Sequence, residues 1–368
     1  MKEYLIVFTF PHFAYSPTTL NLFNELKKHY AVELVTPRPV KAYSLHEIDD
    51  PCVKYFDEIG QLTIFERMTE TLKKIKDKFN KPSARRLFER EIISYIKKKK
   101  NKEIIAVDYM ALWCAQMAGR KAHLVSLEIF ENQNYKNLNN ILSVIIQSEE
   151  RMNYLFPDNK PPYFLVQNAP KYIDFAPSYE SREKTDLIYC GSAVPGFGLI
   201  SCLDFIKDHK EYTLTTVGAM PDETKLVIDK FYSDLLVEKR LIINKDYFSA
   251  TELTHYVSKF RIGFAFYDFY RYAHLRTFNY FSVPSGKVFQ YLNSGLPVIA
   301  NNMSGLKFIE DTQCGKLIDY ISSIQIKAAI DAIERDYEHF AKNAKSFSKE
   351  NDFETQINPF IKYLEGLD

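Results

Sequence analysis

The sequence predicts an α/β protein built from two doubly wound domains, each a mostly parallel sheet with helices on both faces. Three observations carry that prediction. Strand-like and helical segments alternate through both halves of the chain, the pattern that parallel β-α-β units produce. The length of 368 residues exceeds the needs of one such sheet and suits two domains of about 150–200 residues. Between the halves, Asn168-Ala169-Pro170-Lys171 and an irregular stretch with Pro177 and Ser178 break the alternation, as an interdomain linker does.

In chain order, residues 3–9 and 31–36 read as strands around a helix at 18–29, and strand-like segments recur at 103–107, 122–127, 142–147 and 163–167. Residues 67–102 interrupt the rhythm with 14 Lys or Arg against 4 Asp or Glu, ending in Lys97-Lys98-Lys99-Lys100. Leu72, Ile75 and Phe79, then Leu87, Ile92, Tyr95 and Ile96, recur at roughly helical spacing. The segment therefore reads as a pair of basic amphipathic helices, either a solvated face or a contact for an anionic membrane or lipid-pyrophosphate acceptor. In the second half, strands are expected at 186–190, 212–217, 241–243, 262–266 and 297–300, each followed by a turn and a helical segment. The domains are expected at 1–170, with 67–102 as an insertion, and at 171–351, with 352–368 as a final helix.

Composition narrows the function classes. A formal net charge of +1 predicts no nucleic-acid or other polyanion partner for the chain as a whole. The five cysteines, Cys52, Cys114, Cys190, Cys202 and Cys314, have no metal-ligand or disulfide-framework spacing and read as reduced thiols. Met1-Lys2-Glu3 leads straight into the first strand, without an apolar stretch long enough for a signal peptide or membrane span, so a cytoplasmic protein is expected.

The most informative run is Pro284-Ser285-Gly286-Lys287-Val288-Phe289-Gln290-Tyr291, closed by Gly295 and followed by Pro297-Val298-Ile299. A helix N-terminus leaves N–H groups unpaired and carries a partial positive charge; small residues let a phosphate approach, and Lys287 adds a full charge. With its continuation through Gly305, Glu310 and Cys314-Gly315-Lys316-Leu317-Ile318, this run resembles the nucleotide-sugar signature of GT-B glycosyltransferases. In that signature a turn of the type Ser-Pro-Leu-Lys leads to Phe-Glu-Tyr and then to Gly-x-Pro-Val-Ile. The resemblance implies two Rossmann-like domains facing across a cleft and a last helix crossing back to the first domain. It also implies a nucleotide-sugar co-substrate, expected to be a UDP-sugar, and a surface-polysaccharide or lipid-linked glycan acceptor.

The chain has no Asp-x-Asp motif. This suits GT-B enzymes, which commonly hold the diphosphate with a helix N-terminus and basic side chains, so no metal or other cofactor is expected. The chain departs from the retaining members of the family at two places. After the first strand of the second domain, the Gly191-Ser192 turn runs on to Phe197, with Ser192 and Phe197 where a basic pair would fall, and Ser282 and Gln290 replace a Glu pair. Lys287 followed by Gln290 resembles the inverting xanthan-type glucuronosyltransferase branch, where an upstream Tyr borders the nucleotide, here Tyr272. Arg271, His274 and Arg276 are candidates for the charge missing near the diphosphate. Tyr247 either stacks on the nucleobase or packs locally, ahead of a helix beginning near Ser249 with Glu252 at a capping-box position.

An inverting transfer needs a base in the acceptor domain. Glu128 and Asp108 both end strand-like segments, where carboxylates are placed for function more often than on the open surface. Glu128 is the favoured base, with Asp108 and His12 as acceptor-site candidates. Two other readings remain: a nucleotide-sugar 2-epimerase of similar fold, and a non-enzymatic basic scaffold acting through residues 67–102.

Overall fold

The computed structural model describes residues 2–39, 47–56, 84–130, 140–168, 170–175, 182–246 and 248–366. It divides into two compact units, Met1–Leu165 with Pro359–Asp368, and Val166–Asn358. The first division falls a few residues before the expected boundary at 170. There the Gln167 N–H donates to Gln356 Oε1 at 2.7 Å and the Asn168 side chain donates to the Pro284 carbonyl at 3.3 Å, which ties both residues into the second unit.

The first unit holds seven strands, β1 (Glu3–Phe8), β2 (Ala31–Pro37), β3 (Val53–Phe56), β4 (Glu103–Val107), β5 (Ala122–Ser126), β6 (Ile141–Ile146) and β7 (Tyr163–Leu165), in the order 3-2-1-4-5-6-7. Every pairing is parallel. Leu5, Ile6, Val7, Ile104, Ile105 and Ala106 are fully buried, so both faces of the central strands are covered, which parallel sheets require. Sequence reading misses β3: a four-residue edge strand containing Lys54 has neither length nor alternation to announce it.

Of the basic segment, residues 67–83 and the first of its two expected helices lie outside the described residues. The second is the helix Ala84–Lys98, which sets Ile92 and Ile96 into the core and leaves Lys97, Lys98 and Lys100 exposed. Residues 359–365 of the final helix, Phe353–Glu365, pack within the first unit. The Phe360 ring lies 5.6 Å from His123 and 5.4 Å from Phe164, and the Tyr363 hydroxyl donates to the Leu142 carbonyl.

The second unit is a six-stranded parallel sheet of β8 (Asp186–Cys190), β9 (Thr213–Val217), β10 (Leu241–Asn244), β11 (Ile262–Ala265), β12 (Val298–Asn301) and β13 (Gly315–Ile318), in the order 10-9-8-11-12-13. That is the doubly wound Rossmann order, with its topological switch between β8 and β11; in the first unit the switch lies between β1 and β4. Ligands of such sheets bind outside the carboxyl ends of the strands at the switch. Among the described residues, no helix is long and apolar enough to cross a membrane.

Candidate functional site

The second unit sets the helix Gly286–Asn293 over its switch point through one side chain. Tyr291 is fully buried; its hydroxyl donates to the Phe264 carbonyl on β11 at 3.0 Å and accepts the Cys190 N–H at the end of β8 at 2.6 Å. Its ring fills the space beside Gly263, where a Cβ would come within 2.5 Å of it. Just past the helix C-terminus, buried Arg182 donates to the carbonyls of Ser294 (3.1 Å) and Gly295 (2.8 Å), and also to that of Ser258 and to the Tyr337 hydroxyl. A cation at the negative end of the helix dipole is stabilising.

The opposite end is open. The Ser285 side chain does not cap the helix and instead takes a hydrogen bond from the Tyr267 hydroxyl at 3.2 Å. Among the described residues, no acceptor meets the N–H groups of Gly286 and Lys287. Gly286 is exposed, and the nearest atom to a Cβ there would be Asn168 Cβ at 4.0 Å. These are the orphan donors that an anion satisfies.

Lys287 keeps partial surface exposure, while its ammonium lies among rings, 4.4 Å from the Tyr189 centroid and 5.7 Å from those of Phe197 and Tyr267. It donates to the Tyr189 hydroxyl at 3.2 Å. No carboxylate pairs with it among the described residues. Desolvation lowers its pKa from 10.5 to about 8, the direction expected when a charge leaves water without a counter-ion. Gly191 adopts φ +99°, and its missing Cβ would stand 3.8 Å from Lys287 Cε. Exposed Ser192 follows it, its carbonyl 3.1 Å from the Tyr189 hydroxyl.

The remaining donor-site candidates are placed less directly. Tyr272 packs its ring on the loop after β8, 3.1 Å from where a Gly196 Cβ would stand. Arg276 is exposed and donates to the Phe269 carbonyl at 2.9 Å. Arg271 is bound to Asp204 at 2.8 Å and lies 3.6 Å from Asp268, so its charge is already matched. Gln290 donates to Thr254 Oγ1 at 3.0 Å, tying its helix to the helix Ala250–Val257. Tyr247 lies outside the described residues. The capping box beyond it is present, with Ser249 and Glu252 bonded reciprocally.

In the first unit, the ends of β1, β4 and β5 bring Asp108 and Glu128 together. Asp108 follows β4 at φ +62° and is 2% exposed; such a conformation costs a non-glycine residue free energy unless its surroundings hold it. Its Oδ1 accepts the N–H groups of Leu127 (2.7 Å) and Glu128 (2.9 Å), while buried Arg151 donates to the Leu127 carbonyl at 2.8 Å. Burial pushes the Asp108 pKa up from 3.8 to about 7, with the Glu128 charge adding to the rise and the two N–H groups and Arg151 opposing it. Glu128 is exposed. His12 is exposed as well, edge-on to Phe8 at 5.5 Å, and desolvation against its neighbours lowers its pKa. Ser126 Oγ and Thr9 Oγ1 are buried near these strand ends without a hydrogen-bond partner.

Sequence reading missed Tyr189, Tyr267 and Arg182, and assigned Tyr291 no role beyond its place in the run that opens at Pro284. A tyrosine in an apolar strand or helix reads as core, and nothing local marks Arg182, whose partners are far along the chain. Among the described residues, no three His, Cys, Asp or Glu side chains converge as metal ligands.

No protein-family model matches the chain, and no curated protein is similar to it in sequence. Solved structures are similar in fold. Sucrose-phosphate synthase from Thermosynechococcus elongatus superposes with a TM-score of 0.69 at 14% identity over 100% of both chains. HepE from Anabaena, solved with UDP and glucose, superposes at 0.65 and 13% identity over 99% of both. The pneumococcal O-GlcNAc transferase GtfA, solved with UDP and GlcNAc, gives 0.54 at 15% identity over 75% of this chain, which spans only 59% of GtfA. A putative UDP-N-acetylglucosamine 2-epimerase from Listeria monocytogenes gives 0.53 at 11% identity over 94% of this chain and 91% of its own. The fold is that of the GT-B glycosyltransferases.

Proposed function

We propose that this chain is a glycosyltransferase that moves a sugar from a UDP-sugar to a surface-polysaccharide or lipid-linked glycan acceptor, without a metal. The observation that carries the reading is the Lys287 ammonium, unpaired by any described carboxylate and beside two open N–H groups at the switch point of the second unit. A diphosphate satisfies all three donors and stabilises the charge that develops on the leaving group. Gly191 and Ser192 border the same space; Arg276 is assigned to the diphosphate as a further charge, and Gln290, Tyr272 and Tyr247 are assigned to the nucleoside side. The acceptor half is assigned to the first unit, with Glu128 as general base, Asp108 holding the Glu128 backbone, and His12 binding the acceptor. That GtfA and HepE were solved with UDP supports the choice of nucleotide. A cytoplasmic location, peripheral on the inner face of the membrane, suits a lipid-linked acceptor.

Incubation with a panel of nucleotide sugars tests the reading. Hydrolysis or transfer of the sugar is expected. Epimerisation would favour the second reading, for which the Listeria neighbour speaks. Silence together with vesicle binding would leave the basic scaffold. Transfer is expected to survive EDTA, because the helix N-terminus and Lys287 take the place of a cation. Loss of activity in EDTA with recovery in manganese or magnesium would reverse the assignment.

The basic segment gives a separate expectation. Neutralising Lys97 to Lys100 should weaken binding to anionic vesicles, since each basic residue near such a surface contributes about 1 kcal/mol. Binding should fall with salt and UDP binding should be untouched. Lys99 adds least, being 2.9 Å from Glu33. Salt-insensitive vesicle binding, or none, would make the lysines a solvated face.

A further inference from the structure

Tyr189 is fully buried at the end of β8, yet its hydroxyl is the polar atom that the Lys287 ammonium reaches, at 3.2 Å. The same hydroxyl lies 2.8 Å from the Phe197 carbonyl and 3.1 Å from the Ser192 carbonyl. A phenol has one proton to donate and lone pairs to accept with. Its proton is committed to carbonyls of the loop after β8, so a lone pair is left facing Lys287. The rings of Tyr189, Phe197 and Tyr267 attract the cation but offer no comparable acceptor.

We propose that Tyr189 is a positioning residue of the donor-phosphate site: its hydroxyl keeps the Lys287 ammonium charged and aimed beside the Gly191 turn, so that diphosphate binding extends above neutral pH. The proposal rests on the donor-site reading given above. The other titratable groups that face Lys287 are the Tyr267 phenol and the thiols of Cys190 and Cys202. Burial pushes Cys190 up to about 12 and Cys202 higher still, so both stay neutral in the relevant range. A hydrogen bond to the charged form raises an amine's pKa, and its loss lowers it.

Calorimetric titration with UDP from pH 7 to 9 tests this on Tyr189→Phe, beside wild type and Lys287→Ala. Phenylalanine keeps the ring and removes the acceptor. If the Lys287 pKa falls by about one unit and only the charged form binds, affinity drops about two-fold at pH 7 and about ten-fold at pH 9 relative to wild type. A role in packing alone would weaken binding equally at every pH or not at all, and either result overturns the proposal while leaving a weakened Lys287→Ala intact. Wild-type affinity in Lys287→Ala overturns the donor-site reading and the proposal with it. Should Tyr189→Phe fail to fold, 4-fluorophenylalanine placed at 189 fills the space of the hydroxyl with a far weaker acceptor that does not titrate. It should move the pH profile in the same direction, and an unchanged profile overturns the proposal.

Discussion

Glu128→Gln is expected to lower turnover by about 100-fold to 10,000-fold with little change in UDP affinity, the range over which a positioned general base acts. Glutamine keeps the size and hydrogen bonding of the side chain but cannot take the acceptor proton. The geometry gives Asp108 a different role, since its Oδ1 is occupied by the N–H groups of Leu127 and Glu128 and the residue is closed to solvent. An asparagine in its place would present the same oxygen, so Asp108→Asn should retain most activity. Asp108→Ala removes the acceptor of two part-buried N–H groups and should cost about 1–3 kcal/mol of stability as well as turnover. Because the Asp108 pKa is raised from 3.8 to about 7, the folded state holds that proton over this window while the unfolded chain gives it up. Stability therefore falls as pH rises from about 4 to 7, and Asp108→Asn should flatten the slope. Near-normal turnover in Glu128→Gln with abolition in Asp108→Asn would exchange the two roles. If neither matters and the product retains the donor's anomeric configuration, the base is the donor phosphate.

Lys287→Ala should weaken UDP binding by about 1.5–3 kcal/mol, roughly 10-fold to 150-fold, the scale of a charge-assisted hydrogen bond to phosphate. The fold should not suffer. Lys287 has a pKa lowered to about 8, so between pH 8 and its ordinary value near 10.5 the folded state binds fewer protons than the unfolded chain. The stability cost of the desolvated ammonium is thus full below pH 8 and is relieved as pH rises. Replacing the lysine at pH 7 should hold or raise the melting temperature. For UDP the sign is opposite: affinity is highest where Lys287 is charged and falls above about pH 8. Thermal melting at pH 7 and calorimetry at pH 7 and 9 check both halves. Unchanged affinity in Lys287→Ala would remove the residue from the site.

The parts of this molecule legible in its sequence are those that depend on local pattern. The apolar run Tyr4–Phe8 marks β1, and the small-residue turn Pro284-Ser285-Gly286 before Lys287 marks the helix start at Gly286. The interactions between distant segments are not legible in the same way. Tyr291 stands in the run that marks this helix, and only the fold shows it bridging β8 and β11. Asp108 reads as a carboxylate at a strand end, but its positive φ and its hold on Leu127 and Glu128 come from the crossing of two elements about twenty residues apart. Gln290, singled out by its spacing from Lys287, is held by Thr254 on another helix. Lys54 breaks the apolar pattern of β3, and the residue is exposed with its ammonium 4.3 Å from the centroid of the Tyr95 ring.

Thermal melting in the presence of UDP, GDP, CMP and dTDP shows which nucleotide the folded protein binds and whether Lys287 holds it. A ligand that binds the folded state alone stabilises it by RT ln(1 + [L]/Kd), about 2.7 kcal/mol at a hundred times Kd. UDP is expected to raise the melting temperature of the wild type, and that of Lys287→Ala much less at the same concentration. No shift with any of the four nucleotides, or an equal shift in wild type and Lys287→Ala, would contradict this expectation.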